Sequence, residues 1–238
     1  MSGILLSAHW TNLLVANYEV DKHLLEKFLP ARTELNDWNG KYFISLVGFQ
    51  FSKTKLLGIP SPFYRSFPEI NLRFYVKRKI KDGWRKGVVF IKEIAPAKLI
   101  GYMASLLYNE NFITLPLKSQ IRHTIDKINI EYSFPINNHT NYVKAIVNRN
   151  PANFAEETLE SFIADHYWGY TRVNEKITKE FQIIHPPWKI HPVLSSEIKI
   201  DGEKLYGNDF TNFMTPPFSI FLMDGSETKV TRPLVIKD

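Results

Sequence analysis

Residues 67–76 read FPEINLRFYV, and as an extended strand they send Glu69, Asn71, Arg73 and Tyr75 to one face. Ile70, Leu72, Phe74 and Val76 take the other. The aliphatic and aromatic face must be buried in a core. The opposite face carries an acid, an amide, a guanidinium and a phenol, so it is either half exposed or turned into a polar cavity, and the cavity is the expectation. Along one strand, residues two apart are about 7 Å and residues four apart about 13 Å from each other, so Glu69 cannot pair directly with Arg73. Their partners must come from neighbouring strands or from a ligand. A buried ion left alone costs several kcal/mol or shifts its pKa until it is neutral. Two readings follow, a structural polar network and a ligand site. In the second, an arginine suits a carboxylate or phosphate, which it holds with two parallel hydrogen bonds.

With 238 residues, 44% of them hydrophobic, the chain can build one large core, and a single domain over residues 1–238 is expected. The formal charge of +6 is spread along the sequence and does not establish nucleic-acid binding. The basic cluster Lys77, Arg78, Lys79, Lys81, Arg85 and Lys86 is expected at a solvated hairpin tip. Only Trp84 interleaves with it, so no nucleic-acid partner is expected. There is no cysteine, hence no disulfide framework or thiolate metal site. The first residues lack the basic start and long apolar centre of a signal peptide, and no apolar helix approaches the roughly 20 residues of a membrane span. A soluble cytoplasmic protein is expected.

The chain is mostly strands. Trp10–Tyr18 reads as a strand, Asp21 caps a short helix KHLLEKFL that Pro30 stops, and Asn39-Gly40 forms a tight turn before the strand YFISLVGFQF. Asp82-Gly83 folds FPEINLRFYV back onto Val88–Ile91. Leu99, Ile100, Met103, Leu106 and Leu107 at one-face spacing predict a helix over 96–108. Strands follow in SQIRHTI, INIEYSF and YVKAIVNR, divided by an Asn-rich turn at 136–140. A second helix is predicted over 153–165, with Asn153 and Glu156 as a capping box and Phe154, Leu159, Phe162 and Ile163 buried. HYWGYTRV and EKITKEFQIIHPPW read as strands, and in the Pro-rich tail from about Lys189 only SIFLM does.

His166, Trp168, Tyr170 and Arg172 alternate with Tyr167, Gly169 and Thr171, and either face offers a small-molecule pocket a ring with a polar tip. Tyr170 and His166 are candidates for the lining, although for His166 a hydrogen-bonded structural role is the preferred reading. His185 and His191 have no acid at matching spacing and there is no HExxH pattern, so no metal is expected. Trp188, after Pro186 and Pro187, is expected to plug a barrel end. No Gly-rich phosphate loop, Gly-x-Ser-x-Gly elbow or dinucleotide fingerprint is present, and no cofactor is expected.

Five segments in order, WTNLLVANYEVDKHLLEKFLP, DWNGKYFISLVGFQF, FPEINLRFYV, GVVFIKE and ADHYWGYT with IIHPPW, resemble the YqjF-like family of bacterial proteins over roughly residues 8–190. That uncharacterised family looks like a distant relative of acetoacetate decarboxylase. The resemblance implies a mainly β, closed or nearly closed antiparallel barrel with a central cavity and two or three peripheral helices. The decarboxylases condense a lysine with a keto acid, using a Gly-Tyr-Pro-Lys-Lys type motif, because only a free amine attacks the carbonyl. The corresponding place here, LLYNENFITLPLKS, has no Lys-Lys pair, and Lys118 follows about ten residues late. Glu69 does sit where the relatives place an inward carboxylate.

The expectation is a barrel that binds a small anionic organic molecule, lined by Glu69, Asn71, Arg73, His166 and Tyr170, with Lys118 a further ligand-binding candidate. The alternatives are a lyase or hydrolase on a small carboxylate or keto acid with Glu69 as catalytic acid or base, and a basic interaction module at residues 77–86. Homo-oligomerisation is compatible with all three.

Overall fold

The computed structural model describes residues 3–60, 65–96, 112–152 and 155–237, apart from the side chains of 212–214. In chain order the first strands are β1 (Ile4–Val20), β2 (Glu34–Leu35), β3 (Tyr42–Leu56), β4 (Ile59–Pro60), β5 (Ser66–Ile80) and β6 (Gly83–Ala95). They are followed by β7 (Phe112–Thr114), β8 (Lys118–His123), β9 (Lys127–Ile136) and β10 (His139–Asn148). The last are β11 (Trp168–Arg172), β12 (Ile177–Ile184), β13 (Ile190–Lys199), β14 (Ser219–Thr231) and β15 (Leu234–Lys237). Helices α1 (Lys22–Glu26), α2 (Leu159–Ala164) and α3 (Gly202–Tyr206) are short, and a 3-10 segment runs Asn208–Met214.

Among the described residues, seven strands make a ring. β12, β11, β6, β5, β3, β1 and β14 are hydrogen-bonded in that order, and β14 returns to β12 through Ile183 with Val230 and Ile184 with Lys229. Two joints are thin: that seam, and the parallel β6–β11 contact of Trp168 with Gly87 and Gly169 with Val88. The result is a nearly closed, mainly antiparallel barrel. From β14 the hydrogen bonding continues through β13, β10, β9 and β8, and this second sheet folds against the outside of the barrel.

Local chemistry explains the hairpins. Asn39 and Gly40 take φ of 52° and 78°, the left-handed pair of a type I′ turn, and Trp38 and Lys41 exchange backbone hydrogen bonds of 2.9 and 3.0 Å around them. Asn137 and Asn138, at φ of 44° and 65°, do the same between β9 and β10. β5 and β6 turn at Lys81-Asp82, with Ile80 facing Gly83.

Two apolar cores lie on the two sides of the barrel wall. On β5, Ile70, Leu72, Phe74 and Val76 are all 0% exposed and belong to the outer core, with Tyr132, Phe134 and Val143 of the second sheet. The inner core holds Trp10, Phe49, Phe51, Phe67, Phe181 and Met223. Full burial of such side chains contributes about 1.5–3 kcal/mol each, so the hydrophobic effect on both faces holds β5 in place. Gly48 lets the second sheet approach: a Cβ there would come within 2.5 Å of the Tyr132 ring. The Tyr132 hydroxyl continues past it and donates to the Asn12 carbonyl at 2.8 Å.

Some expectations needed correction. Asp21 caps α1 as expected, with its carboxylate accepting from His23 N–H at 2.8 Å, but α1 ends at Glu26. α2 begins at Leu159 and is capped by Thr158, whose Oγ1 accepts from Ser161 N–H at 3.3 Å, so it is shorter than the predicted 153–165. Asn153 and Phe154 lie outside the described residues, as do residues 97–108 of the first predicted helix. The tail holds more strand than SIFLM: β14 is 13 residues long, and β13, unforeseen because it carries Pro192 and a run of polar residues, joins it to β10. No helix among the described residues is long and apolar enough to cross a membrane.

Candidate functional site

The barrel encloses a cavity of about 50 Å³, counted as the space open to the centre of a water molecule. One water needs about 10–15 Å³ on that measure, so the cavity holds a few waters or one compact organic molecule. Every strand of the ring contributes to it: Leu6, Trp10 and Leu13 from β1, Val47, Phe49 and Phe51 from β3, and Glu69, Asn71 and Arg73 from β5. Phe90 and Glu93 of β6, Thr171 of β11, Phe181 of β12 and Val230 of β14 complete it, with Phe112 of β7 beside them. Among the described residues the wall is mostly apolar, with a polar stripe on β5 and Glu93 of β6 and single polar groups on Trp10 and Thr171.

A bulge sets part of this wall. Asn12, at φ 56°, lies where the β1–β3 register slips between Thr11 and Leu14, so Trp10 and Leu13 both face inward although three residues apart.

Within the stripe, Asn71 Nδ2 donates to Glu69 Oε1 at 3.2 Å. Burial pushes the Glu69 carboxyl up to about 7; the Asn71 bond and the Arg73 charge pull the other way and offset only part of that. The Glu69 carboxyl is therefore held well above the ordinary carboxylate range, where it changes charge near neutral pH. Among the described residues, three polar atoms of the lining are buried without a hydrogen-bond partner: Asn71 Oδ1, Arg73 Nε and Trp10 Nε1. Buried polar atoms in folded proteins are nearly always paired, and three exceptions around one cavity need a reason. The Arg73 guanidinium lies 5.9 Å from the Tyr75 ring centre.

Tyr75 shares the stripe but serves the structure. Ser45 Oγ donates to Asn17 Oδ1, so the Tyr75 hydroxyl is the donor in its bond to Ser45 Oγ. Asn17 Nδ2 donates onward to Ser219 Oγ at 2.9 Å, and the chain of bonds runs from the buried Tyr75, Ser45 and Asn17 to the half-buried Ser219. The polar face thus divides along one strand: a hydrogen-bonded network at Tyr75, and unpaired atoms on Asn71 and Arg73 beside the cavity.

Glu93 is a lining residue that sequence reasoning did not single out. It faces Asn71 across the β5–β6 ladder. Its signal in the sequence is an acid inside the apolar run VVFIKEIA, a place where a buried charge needs a purpose.

The other candidates lie elsewhere. Thr171 lines the cavity, so alternation turns its neighbour Tyr170 outward, where the Tyr170 hydroxyl donates to the Arg85 carbonyl at 3.3 Å in the outer core. His166 precedes β11 and is buried against Tyr75 and Phe162, with ring centres 4.7 and 5.0 Å away. Its Nε2 accepts from Asn36 Nδ2 at 3.0 Å, and burial, helped by the charges of Arg73 and Lys86, lowers its pKa to about 3, so it is a neutral packing residue. Lys118 is exposed at the start of β8, opposite Ser133 in the second sheet, and does not belong to the lining. Trp188 stacks on His185 at 3.7 Å, packs 6.4 Å from Trp10 and donates through Nε1 to Ser226 Oγ at 2.8 Å, which backs the cavity wall.

The basic hairpin is solvated only in part. Arg78 grips Glu180 through Nε at 2.7 Å and Nη2 at 3.1 Å, and Arg85 Nη1 adds a bond of 2.8 Å to the same carboxylate. Lys77 and Lys79 remain at the tip, over the Trp84 ring at 5.2 and 6.0 Å. Among the described residues no three His, Cys, Asp or Glu side chains are grouped to hold a metal ion.

Comparison with known proteins agrees with this architecture. A family model, DUF2071, described as an uncharacterized conserved protein, matches residues 7–227. The uncharacterized protein YqjF of Bacillus subtilis (strain 168) is 28% identical over 186 residues, 75% of this chain and 72% of that protein. The crystal structure of acetoacetate decarboxylase from Legionella pneumophila superposes with a TM-score of 0.63 at 13% identity, covering 99% of this chain and 88% of that one. The enduracididine biosynthesis enzyme MppR, in its complex with pyruvate, superposes with a TM-score of 0.64 at 10% identity over 100% of this chain and 92% of that one. The chain is therefore similar in fold to the acetoacetate-decarboxylase-like proteins.

Proposed function

This chain belongs to the DUF2071 family of uncharacterized conserved proteins, and from that premise we propose that it binds a small anionic organic molecule in the cavity of its barrel. The observation that carries the reading is the meeting of three unpartnered buried polar atoms, on Trp10, Asn71 and Arg73, at one cavity. An Arg73 N–H with no acceptor invites a carboxylate oxygen, and the surrounding Leu, Val and Phe side chains suit a short apolar remainder. The pyruvate carried by MppR, a protein of the same fold, supports the ligand class. We keep the protein as one domain in the cytoplasm as part of this proposal.

Glu69 gives a second reading its own support. A carboxyl held near 7 can take or give a proton at physiological pH, which suits the acid or base of a lyase or hydrolase acting on such a carboxylate.

Isothermal titration with butanoate tests the first reading on the wild type and on Arg73→Met. Binding that is lost in the variant supports it; no heat from the wild type at millimolar ligand, or equal binding by both proteins, sinks it.

A further inference from the structure

The hydrogen-bonding pattern of the stripe says more about the ligand than its charge. Asn71 is 3% exposed, and its Nδ2 is taken by Glu69 Oε1 at 3.2 Å. That bond orients the amide, so Oδ1 points the other way, and there it is buried with no donor. Two residues along the same face, Arg73 holds an unpaired Nε–H. The stripe therefore shows a ligand one acceptor, on Asn71, beside donors on Arg73. A plain carboxylate answers only the donors. An oxo acid adds another acceptor, which Trp10 Nε1–H can meet but which leaves Asn71 Oδ1 without a donor. A hydroxy acid answers both: its carboxylate accepts from Arg73 and its hydroxyl donates to Asn71.

Resting on the anion-binding reading above, we infer that the cavity is built for a compact hydroxycarboxylate with a short apolar substituent, its carboxylate on Arg73 and its hydroxyl on Asn71 Oδ1. The apolar part meets Phe49, Phe90 and Phe181, and the volume of about 50 Å³ limits the ligand to a few heavy atoms beyond the acid group. Turning the Asn71 amide over would set Oδ1 against the Glu69 carboxyl and offer N–H donors to the ligand. That arrangement favours oxo acids, so the two orientations give opposite rank orders.

The test compares acids of one length that differ at one carbon. Wild-type protein is titrated at pH 7 with 2-hydroxybutanoate, 2-oxobutanoate, 3-hydroxybutanoate, 3-oxobutanoate and butanoate. At least one hydroxy acid is expected to bind about tenfold or more tightly than both its oxo partner and butanoate, because each of those leaves a buried acceptor unpaired. The position of the preferred hydroxyl, 2 or 3, is read from the same series. In Asn71→Ala the preference is expected to shrink to about twofold, since the acceptor is gone. Oxo acids binding as well as or better than hydroxy acids would overturn the inference and leave anion binding standing. Failure of every acid to bind overturns both. Should the variant not fold, the wild-type rank order decides alone.

Discussion

Asn71 and Glu69 lie two residues apart on one strand and are joined side chain to side chain at 3.2 Å, and that single bond leaves the carbonyl oxygen of Asn71 facing the barrel interior unpaired. The pair takes on two properties from it. Glu69 gains one donor but stays mostly desolvated, so its proton is held far above the ordinary carboxylate range. Asn71 becomes an acceptor waiting for a donor, beside an arginine waiting for an acceptor.

The first prediction concerns stability against pH. Glu69 titrates at about 7 in the folded chain against an ordinary value of 4.5, so between these values the folded state binds the extra proton. Its stabilising effect is complete below about 4.5 and is lost as pH rises through 7. The shift corresponds to roughly 3 kcal/mol. Urea unfolding of the wild type and Glu69→Gln from pH 4.5 to 8.5 should show the variant gaining on the wild type as pH rises. Parallel curves would contradict the burial of an ionisable group at this position.

Anion affinity should fall over the same range. Ionised Glu69 brings a negative charge to a wall that also carries Glu93, opposed by Arg73. Butanoate binding to the wild type is expected to weaken by tenfold or more between pH 6 and 8, the scale of one added charge at close range. In Glu69→Gln it should change much less. A wild-type affinity flat across that range would count against Glu69 as the titrating group.

Arg73 should not be replaceable by lysine. Lysine keeps the charge but loses the flat fork that can grip a carboxylate at two points. Arg73→Lys is expected to weaken butanoate binding about tenfold and Arg73→Met about a hundredfold, as the loss of charge-assisted bonds implies. Equal affinity in the lysine variant would mean that simple charge, not bidentate geometry, holds the ligand.

The carboxylate of Glu180, only 2% exposed, depends on Arg78 and Arg85. Arg78→Met removes two of the three arginine hydrogen bonds to it and is expected to cost about 3 kcal/mol in urea unfolding. A loss below about 1 kcal/mol would class the contact with screened surface pairs.

Gly48 is the close contact through which the second sheet reaches the barrel. An added methyl there would overlap the Tyr132 ring, and Gly48→Ala is expected to cost about 1–3 kcal/mol, seen as a lower melting temperature. A variant as stable as the wild type would show that Tyr132 moves aside freely.

The alternation in FPEINLRFYV was legible because strand geometry is local. Each side chain's face follows from its own position in the pleat, and both faces of β5 are indeed buried, one in the outer core and one around the cavity. The turn at Asn39-Gly40 was legible for the same reason, since left-handed backbone falls to Asn and Gly, whereas the turn expected at Asp82-Gly83 forms one residue earlier, at Lys81-Asp82, with Gly83 opening β6. The segment from His166 to Arg172 was not, because both of its faces carry aromatic rings. Only the pairing of β11 with β6 and β12 turned Thr171 inward and Tyr170 outward.

Glu93 marks the boundary most sharply. Counted back from the turn at Lys81-Asp82, a regular hairpin would set Asn71 opposite Lys92, a base. The register slips by one between Leu72 and Arg73, and Asn71 faces Glu93 instead. The residues themselves determined a two-faced strand with an acid, an amide and a guanidinium on one side. Whether the wall opposite them carried a lysine or a carboxylate was decided by a bulge, because one extra residue inverts every later side chain, and where it falls depends on the barrel closing around it.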